Sequence, residues 1–281
     1  LPLSPESSVV GESSVIIAKH EDTFVRLARE YDLGFLELAH ANPGVNPWLP
    51  GEGTELVIPT RFVLPDAPRS GIVINLPELR LYYYPEDNGD RVITHPISIG
   101  RMEWRTPLGL TEVVRRAENP TWYPPQSVRD EHAAQGRPLD SIVPPGPDNP
   151  LGNHALYLGL PGYLIHGTNM PFGLGMRVTH GCIRMFPEDI ESLFNSVPIG
   201  TQVRIVNQPF KLGRSDSGYF LEAHPLLDEE LQGDEVSIMT ELTRAYVAAT
   251  EEEGQGNRFD WETAERIVMN SRGVPEFIAF N

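Results

Sequence analysis

The 281-residue chain has a single cysteine, Cys182, so no disulfide can form within it. In an oxidising compartment one thiol avoids wrong pairing and still leaves a reactive sulfur, a usage that suits a thiol enzyme outside the reducing cytosol. Lysine is almost missing: Lys19 and Lys211 stand alone, and the other 20 of the 22 basic residues are arginine. Positive charge is scarce overall, since 39 acidic side chains against 22 basic ones leave a formal net charge of −17. A surface this acidic repels phosphate, which excludes nucleic acid as a partner. No apolar run approaches the roughly 18 residues that a spanning helix needs, so no membrane span is expected. No leader is legible either; the chain opens on a Ser- and Glu-rich stretch after Leu1, and a signal peptide already removed or trimmed is the expectation.

What charge there is lies unevenly. Residues 1–65 carry 4 basic and 9 acidic groups, residues 66–206 carry 12 and 15, and residues 207–281 carry 6 and 15. Arginine thus concentrates in the middle, where its forked guanidinium is suited to gripping carboxylates. The length exceeds one modal domain, and 40% hydrophobic content is enough for several packed cores.

The chemistry gathers around the lone thiol. Cys182 lies in Val178-Thr179-His180-Gly181-Cys182-Ile183-Arg184, downstream of a second imidazole in Leu164-Ile165-His166-Gly167-Thr168. A thiol is only slightly ionised at neutral pH, and an imidazole within reach is its usual activator. Tyr163-Leu164-Ile165 reads as a strand delivering His166 to its rim, where Gly167 lets the chain turn. His166 then serves as general base and His180 as the orienting or polarising partner. Gly181 admits a substrate carbonyl to the backbone, and the Gly181 and Cys182 amides can receive an oxyanion. The segment from Pro187 reads as a helix, with Pro in its first turn, acids early, and Ile190, Leu193, Phe194 and Val197 at apolar spacing. Arg184 and Arg177 are candidates to hold a substrate carboxylate, with Thr179 and Gly167 beside them in the substrate-contacting set. A buried, inert thiol is the plain alternative. A zinc site built from His166, His180 and Cys182 is another, but it lacks an evident fourth ligand, and neither metal nor cofactor is expected.

Three further regions frame this centre. Near the N-terminus, Ser14 to Ile17 reads as a strand and Asp22 as the cap of a helix carrying Phe24, Leu27, Ala28 and Tyr31. A second helix runs from Gly34 to Ala41 and stops at Asn42-Pro43-Gly44, and Gly53 to Pro59 reads as a closing strand. The middle reads mainly as strands: Ile72 to Asn75, Glu78 to Tyr84, Val92 to Ile99, Thr111 to Arg115, Ala155 to Leu158, Tyr163 to His166 and Gln202 to Val206. That pattern suggests a sandwich or barrel. Pro-rich Asn119 to Gly152, with a helical patch over Val128 to Gln135, is a candidate lid, and Trp122 and Tyr163 are candidates for its cleft or for the core. Beyond residue 207, Tyr219 to Ala223 reads as a strand, and Val236 to Glu251 and Asp260 to Asn270 read as helices. The expected class is therefore α+β and multidomain: a tail over 1–12, a small βααβ module over 13–62, a mainly-β catalytic domain over 71–206, and a small, acidic, helical subdomain over 207–281.

The run His166-Gly167-Thr168 through Thr179-His180-Gly181-Cys182-Ile183-Arg184 resembles the signature of the L,D-transpeptidases with a YkuD-type catalytic domain. Thr179 stands where Ser is commoner, and Gly167 where some relatives carry Ser. The likeness extends to Gly71 through Tyr84, Thr106-Pro107-Leu108-Gly109, Asn119-Pro120-Thr121-Trp122 and Pro144 through Gly152, a longer pattern similar to the periplasmic ErfK/YbiS group. The N-terminal region is similar to a LysM module at Asp22-Thr23, Asn42-Pro43 and Gly53-x-x-Leu56-x-Ile58-Pro59, which implies a peptidoglycan anchor with Asp22, Thr23, Asn42 and Pro43 on its glycan. The resemblance implies Cys182 as nucleophile and His166 as proton carrier, acting on the diaminopimelate–D-alanine bond of tetrapeptide stems. It also implies a periplasmic location and an amine acceptor, with the lysine of a Braun-type lipoprotein, a second stem in a 3–3 crosslink, or water left open. A non-catalytic peptidoglycan-binding protein and a thiol peptidase or amidase on another substrate are the competing readings.

Overall fold

The computed structural model describes residues 1–86, 89–228, 238–250 and 259–278. It begins with β1 (Val9–Gly11), β2 (Ser14–Ile17), α1 (Phe24–Glu30), α2 (Phe35–Ala41), β3 (Glu55–Ile58) and β4 (Arg61–Val63). β2 pairs antiparallel with β3, so the strand, helix, helix, strand order read from the hydrophobic spacing is the one found. The stretch expected as a tail is not loose: β1 pairs antiparallel with β4, and the Ser8 amide donates to the Arg214 carbonyl at 2.9 Å. A three-residue strand has too few positions to declare a period, so only its distant partners reveal it.

Two side chains in this region have a different role from the one expected. Thr23, not Asp22, caps α1 by accepting from the Arg26 amide. Asp22 is 3% exposed and accepts from the Lys19 amide at 2.7 Å, closing the turn ahead of the helix. Asn42 is also buried; its amide donates to the Leu38 and Val57 carbonyls and its oxygen accepts from the Val57 amide. Such Asx bonding ties the end of α2 to β3, which leaves neither side chain free to meet a glycan. Pro43 is exposed and Thr23 partly so.

The middle of the chain supplies β5 (Gly71–Asn75), β6 (Arg80–Tyr84), β7 (Ile93–Pro96), β8 (Ile99–Gly100), β9 (Gly109–Glu118), β10 (His154–Leu158), β11 (Leu164–His166), β12 (Arg177–Thr179), β13 (Ile183–Arg184) and β14 (Gln202–Val206). Helix α3 (Gln126–Ala134) lies in the Pro-rich insertion and α4 (Pro187–Ser196) follows the thiol. Eight strands form one sheet in the order β13-β11-β10-β9-β14-β5-β6-β7, while β12 and β8 pair separately. The sheet curls until its ends meet, because Ser98, between β7 and β8, and Arg184 of β13 exchange backbone hydrogen bonds of 2.8 and 2.9 Å. The result is a curled mainly-β sheet rather than two stacked layers. Its concave core joins Ile72, Ile74, Leu81, Leu156, Ile165 and Ile183 to Ile190 and Leu193 of α4. Strands β5 and β6 are buried on both faces, since Val73, Tyr82 and Tyr84 pack outward onto Phe24, Leu27, Leu33 and Leu38 of the N-terminal helices.

After residue 207 the expectation of a helical subdomain needs correction. β15 (Phe210–Ser215), β16 (Gly218–Ala223) and β17 (Glu276–Ile278) form an antiparallel sheet on which α5 (Ile238–Thr250) and α6 (Trp261–Asn270) pack. The core of this part joins Phe210, Leu221, Leu242, Phe259 and Ile267. β15 and β17 carry weak alternation of their own and acquire their pairing from β16. The ends of the helix expected at Val236 to Glu251 lie outside the described residues.

Buried charges tie the parts together. Lys211 Nζ lies 2.8 Å from Glu78 and 3.1 Å from Glu222 and donates to the Val63 carbonyl, so one ammonium holds the middle, the C-terminal sheet and the end of β4. Arg80 of β6 is 1% exposed, forks onto Glu37 of α2, and stacks 4.2 Å over the Phe62 ring. Removing one partner of a buried pair strands the other charge, so Glu37→Ala should lower unfolding stability by about 3–5 kcal/mol. Denaturant titration followed by tryptophan fluorescence measures this, and the exposed Glu30→Ala should cost less than about 1 kcal/mol in the same assay.

Candidate active site

The short parallel ladder between β11 and β13 aligns Ile165 with Ile183 and His166 with Arg184. Side chains alternate along a strand, so Leu164, His166, Cys182 and Arg184 fall on one face. The lone thiol and the imidazole sixteen places ahead of it thus share a surface, which closes around Trp122, Leu151, Ala155, Tyr157 and Leu164 packed with Cys182. Trp122 belongs to this wall, whereas Tyr163 packs against the main core and donates from its hydroxyl to the Arg105 carbonyl at 3.2 Å.

His166 is buried, with Nδ1 2.7 Å from the Gly167 carbonyl. A carbonyl only accepts, so Nδ1 carries the proton and Nε2 presents its lone pair. The orienting group is therefore backbone, which accounts for a site that works with Gly167 rather than a serine. Burial, with the charge of Arg184 adding to it, drives His166 down to about 3. Burial also pushes the Cys182 thiol above its ordinary value, against weaker pulls from the Leu164 amide and Arg184. Each group is thereby held in its neutral form at pH 7, and among the described residues no hydrogen bond joins the Cys182 sulfur to His166. The thiol lies 3.5 Å from the Gly162 carbonyl.

The loop ahead of Cys182 is held from several sides. Gly181 has φ +102°, and a Cβ there would meet the Tyr163 ring at 3.0 Å. Its carbonyl accepts from the Thr106 hydroxyl at 2.8 Å, and Thr106 in turn accepts from the Gly100 amide. The Thr179 hydroxyl donates to the Cys182 carbonyl at 2.6 Å and is buried. Thr179, expected to touch substrate, is spent on shaping the loop. Among the described residues neither the Gly181 nor the Cys182 amide donates a hydrogen bond, leaving two adjacent N–H groups beside the sulfur.

The cations separate into two kinds. Arg184 has no carboxylate partner among the described residues, and its Nε is buried without a hydrogen bond. Arg177 instead reaches the Gly100 carbonyl at 3.4 Å and Asp228 at 3.3 Å, so it is committed to the protein. His180 turns away from a direct role: its Nε2 lies 2.9 Å from Glu131 of α3, which also pairs with Arg101, and its ring packs edge-on to Trp104. The insertion thereby reaches the catalytic loop through Glu131. His166, His180 and Cys182 do not converge as a metal site; among the described residues the candidate clusters lie elsewhere. Arg101, Thr106 and Glu131 were not singled out from the sequence, and only Thr106, in its Thr-Pro-Leu-Gly turn, gave a signal.

Arg184 favours the thiolate and opposes the imidazolium, so Arg184→Gln should move both titrations to higher pH. The pH profile of Cys182 alkylation by iodoacetamide reads the first, and the ring resonances of His166 read the second. In the unaltered protein the alkylation midpoint should already lie above the ordinary thiol value of about 8.5; a midpoint below it would contradict this electrostatic picture.

Residues 69–205 match the family described as YkuD, the L,D-transpeptidase catalytic domain. The probable L,D-transpeptidase YcfS of Escherichia coli K12 is 45% identical over 98% of this chain and 86% of its own length. The probable L,D-transpeptidase YbiS of that organism is 42% identical over 98% of this chain and 90% of its own, and its probable L,D-transpeptidase ErfK/SrfK is 40% identical over 98% and 89%. With the thiol, the imidazole and the free guanidinium on one face inside the matched region, the chain belongs to the L,D-transpeptidases, a family of cysteine acyltransferases.

Proposed function

We propose that this protein is a periplasmic L,D-transpeptidase that opens the diaminopimelate–D-alanine bond of tetrapeptide stems and passes the acyl group to the lysine of a Braun-type lipoprotein. The observation that carries the proposal is the β11–β13 register, which gives Cys182 and His166 a common face with an unpaired Arg184. In the proposed reaction Nε2 of His166 takes the thiol proton as sulfur attacks the stem carbonyl. The Gly181 and Cys182 amides receive the oxyanion. The amide bond then breaks, a thioester forms, and His166 returns the proton to the departing D-alanine amine. An acceptor amine attacks the thioester and regenerates the thiol. Arg184 holds a carboxylate of the stem, a geometry for which a fork without an internal partner is suited. Thr106, Thr179 and, through Glu131, His180 position the loop rather than touch the reacting atoms.

Likeness to the ErfK/YbiS group is what favours lipoprotein lysine over a second stem or water. We assign the βααβ module of residues 13–62 to binding the wall glycan. Because Asp22 and Asn42 are occupied by backbone groups, the exposed Pro43, Trp48 and Leu49 are left to meet the polymer. The module is docked rather than tethered: Arg29 forks onto Glu188 of α4 at 2.8 and 2.9 Å, and the Phe35 amide donates to the Leu174 carbonyl. A bound glycan would then fix the distance from polymer to thiol, which raises the local concentration of stems.

Incubating the protein with sacculi and a lipoprotein C-terminal peptide, then digesting and identifying the muropeptides, distinguishes the acceptors. Lipoprotein peptide joined to tripeptide stems is the expected product, with a tripeptide acyl adduct on Cys182 by mass spectrometry and neither species from Cys182→Ala. Dimers with 3–3 links alone, or free tripeptides alone, would replace the proposed acceptor by a stem or by water. Sacculus binding with no adduct would favour a non-catalytic wall protein.

A further inference from the structure

Asp32, His95 and Asp189 come from three separate elements and meet where the N-terminal module sits on the sheet. Asp32 follows α1 with φ 54°, a left-handed conformation unusual for a non-glycine residue; His95 is in β7, and Asp189 lies in the first turn of α4. His95 Nδ1 stands 3.3 Å from Asp32 Oδ2 and 3.2 Å from Asp189 Oδ1, and the three donor atoms lie within 4.8 Å of one another. Despite those distances, both ring nitrogens of His95, Asp32 Oδ1 and Asp189 Oδ2 are buried with no hydrogen-bond partner. His95 is 8% exposed, and polar groups buried to that degree are ordinarily paired. His95 Nδ1 thus stands between two carboxylate oxygens, close enough for one cation to be shared by all three side chains. The two distances from His95 fit a cation held between them: donors about 2.0 Å from a tetrahedral centre stand about 3.3 Å apart.

Charge favours the same occupant. Two carboxylates meet here, and the nearest guanidiniums are engaged elsewhere: Arg80 forks onto Glu37 and touches Asp32 only through its carbonyl, and Arg29 forks onto Glu188. A proton on His95 is the competing occupant. Burial opposes it, but contact with Asp189 and Asp32 lifts the ring to about 9. That proton offsets one of the two negative charges, whereas a divalent cation offsets both and engages all three side chains.

We propose that Asp32, His95 and Asp189 form a divalent metal site of the zinc class that pins the N-terminal module to the catalytic sheet. One imidazole and two carboxylates, with no thiolate, suit zinc better than a soft cation, and the fourth position falls to water. The Asp32 side chain is 45% exposed and provides the route of entry. The site uses neither Cys182 nor His166, so it stands or falls separately from the transpeptidase reading.

The test uses the full chain carrying Cys182→Ala, so that the thiol takes no metal, stripped with chelator and titrated calorimetrically with zinc chloride. Calcium, magnesium and manganese chlorides are titrated in parallel. One zinc per chain should bind, more tightly than calcium or magnesium, and saturating zinc should raise the thermal midpoint. His95→Gln and Asp189→Asn should each abolish both effects. Should those variants fail to fold, crystals of the zinc-loaded parent decide the matter by anomalous diffraction. The peak should lie about 2.0–2.2 Å from the His95 ring and both carboxylates. Absence of binding, a peak elsewhere, or unchanged binding in folded variants would overturn the site.

Discussion

The pairing of two very short strands, β11 and β13, is the constraint on which the rest of the site depends. Parallel registration of His166 with Arg184 fixes which side chains face the cleft, and a slip of one residue would send either the thiol or the imidazole to the opposite face. A three-residue and a two-residue strand cannot hold that register by themselves. It is held from outside: Ser98 clasps Arg184 by two backbone bonds, the Met185 amide donates to the His166 carbonyl, and α4 packs Ile190 and Leu193 beneath. Thr106, Thr179 and Glu131 then fix the loop that carries the sulfur. The chemistry sits on a seam closed by the curling of the whole sheet.

Burial sets the electrostatic character of that seam. Enclosure disfavours both the thiolate and the imidazolium, and Arg184 moves the two in ways that partly compensate, helping the former and opposing the latter. Neutral groups of this kind avoid the adventitious reactivity of a free thiolate, and in the proposed reaction the nucleophile is released only as the proton is passed. The carbonyl of Gly167 sets the imidazole tautomer without another side chain, which makes the geometry a property of the backbone turn.

The acidic composition has its own structural logic. With a formal net charge of −17 and two lysines, the chain places one of those lysines in its interior, among Glu78 and Glu222. Arginine does the same at the face between the N-terminal helices and the sheet, through Arg80 on Glu37. These pairs join parts that composition alone divides into separate regions. Because a buried ion pair needs both partners in place, they select one docking arrangement over alternatives more than they add net stability.

The amino-acid sequence by itself determined many of the elements and offered the groups proposed to react. One cysteine, two histidines at fixed spacing and a glycine beside the sulfur supply the candidates for nucleophile and base. Apolar periodicity predicts α1, α2 and α4 and the strands from Ile72 onward, because helix and strand periods are local properties of the chain. Tertiary structure decided which polar residues act and which only hold the fold. Asp22 and Asn42 look available at turn positions, yet each is consumed by a backbone group. Glu131 looks like one acid among many, yet its partner His180 is 49 positions away. The β1 and β17 strands are equally invisible, since a strand of three residues is defined by its neighbour rather than by its own pattern. Local order follows from torsions and side-chain periods within a few residues, whereas a hydrogen bond or ion pair between distant segments exists only once the core has brought them together.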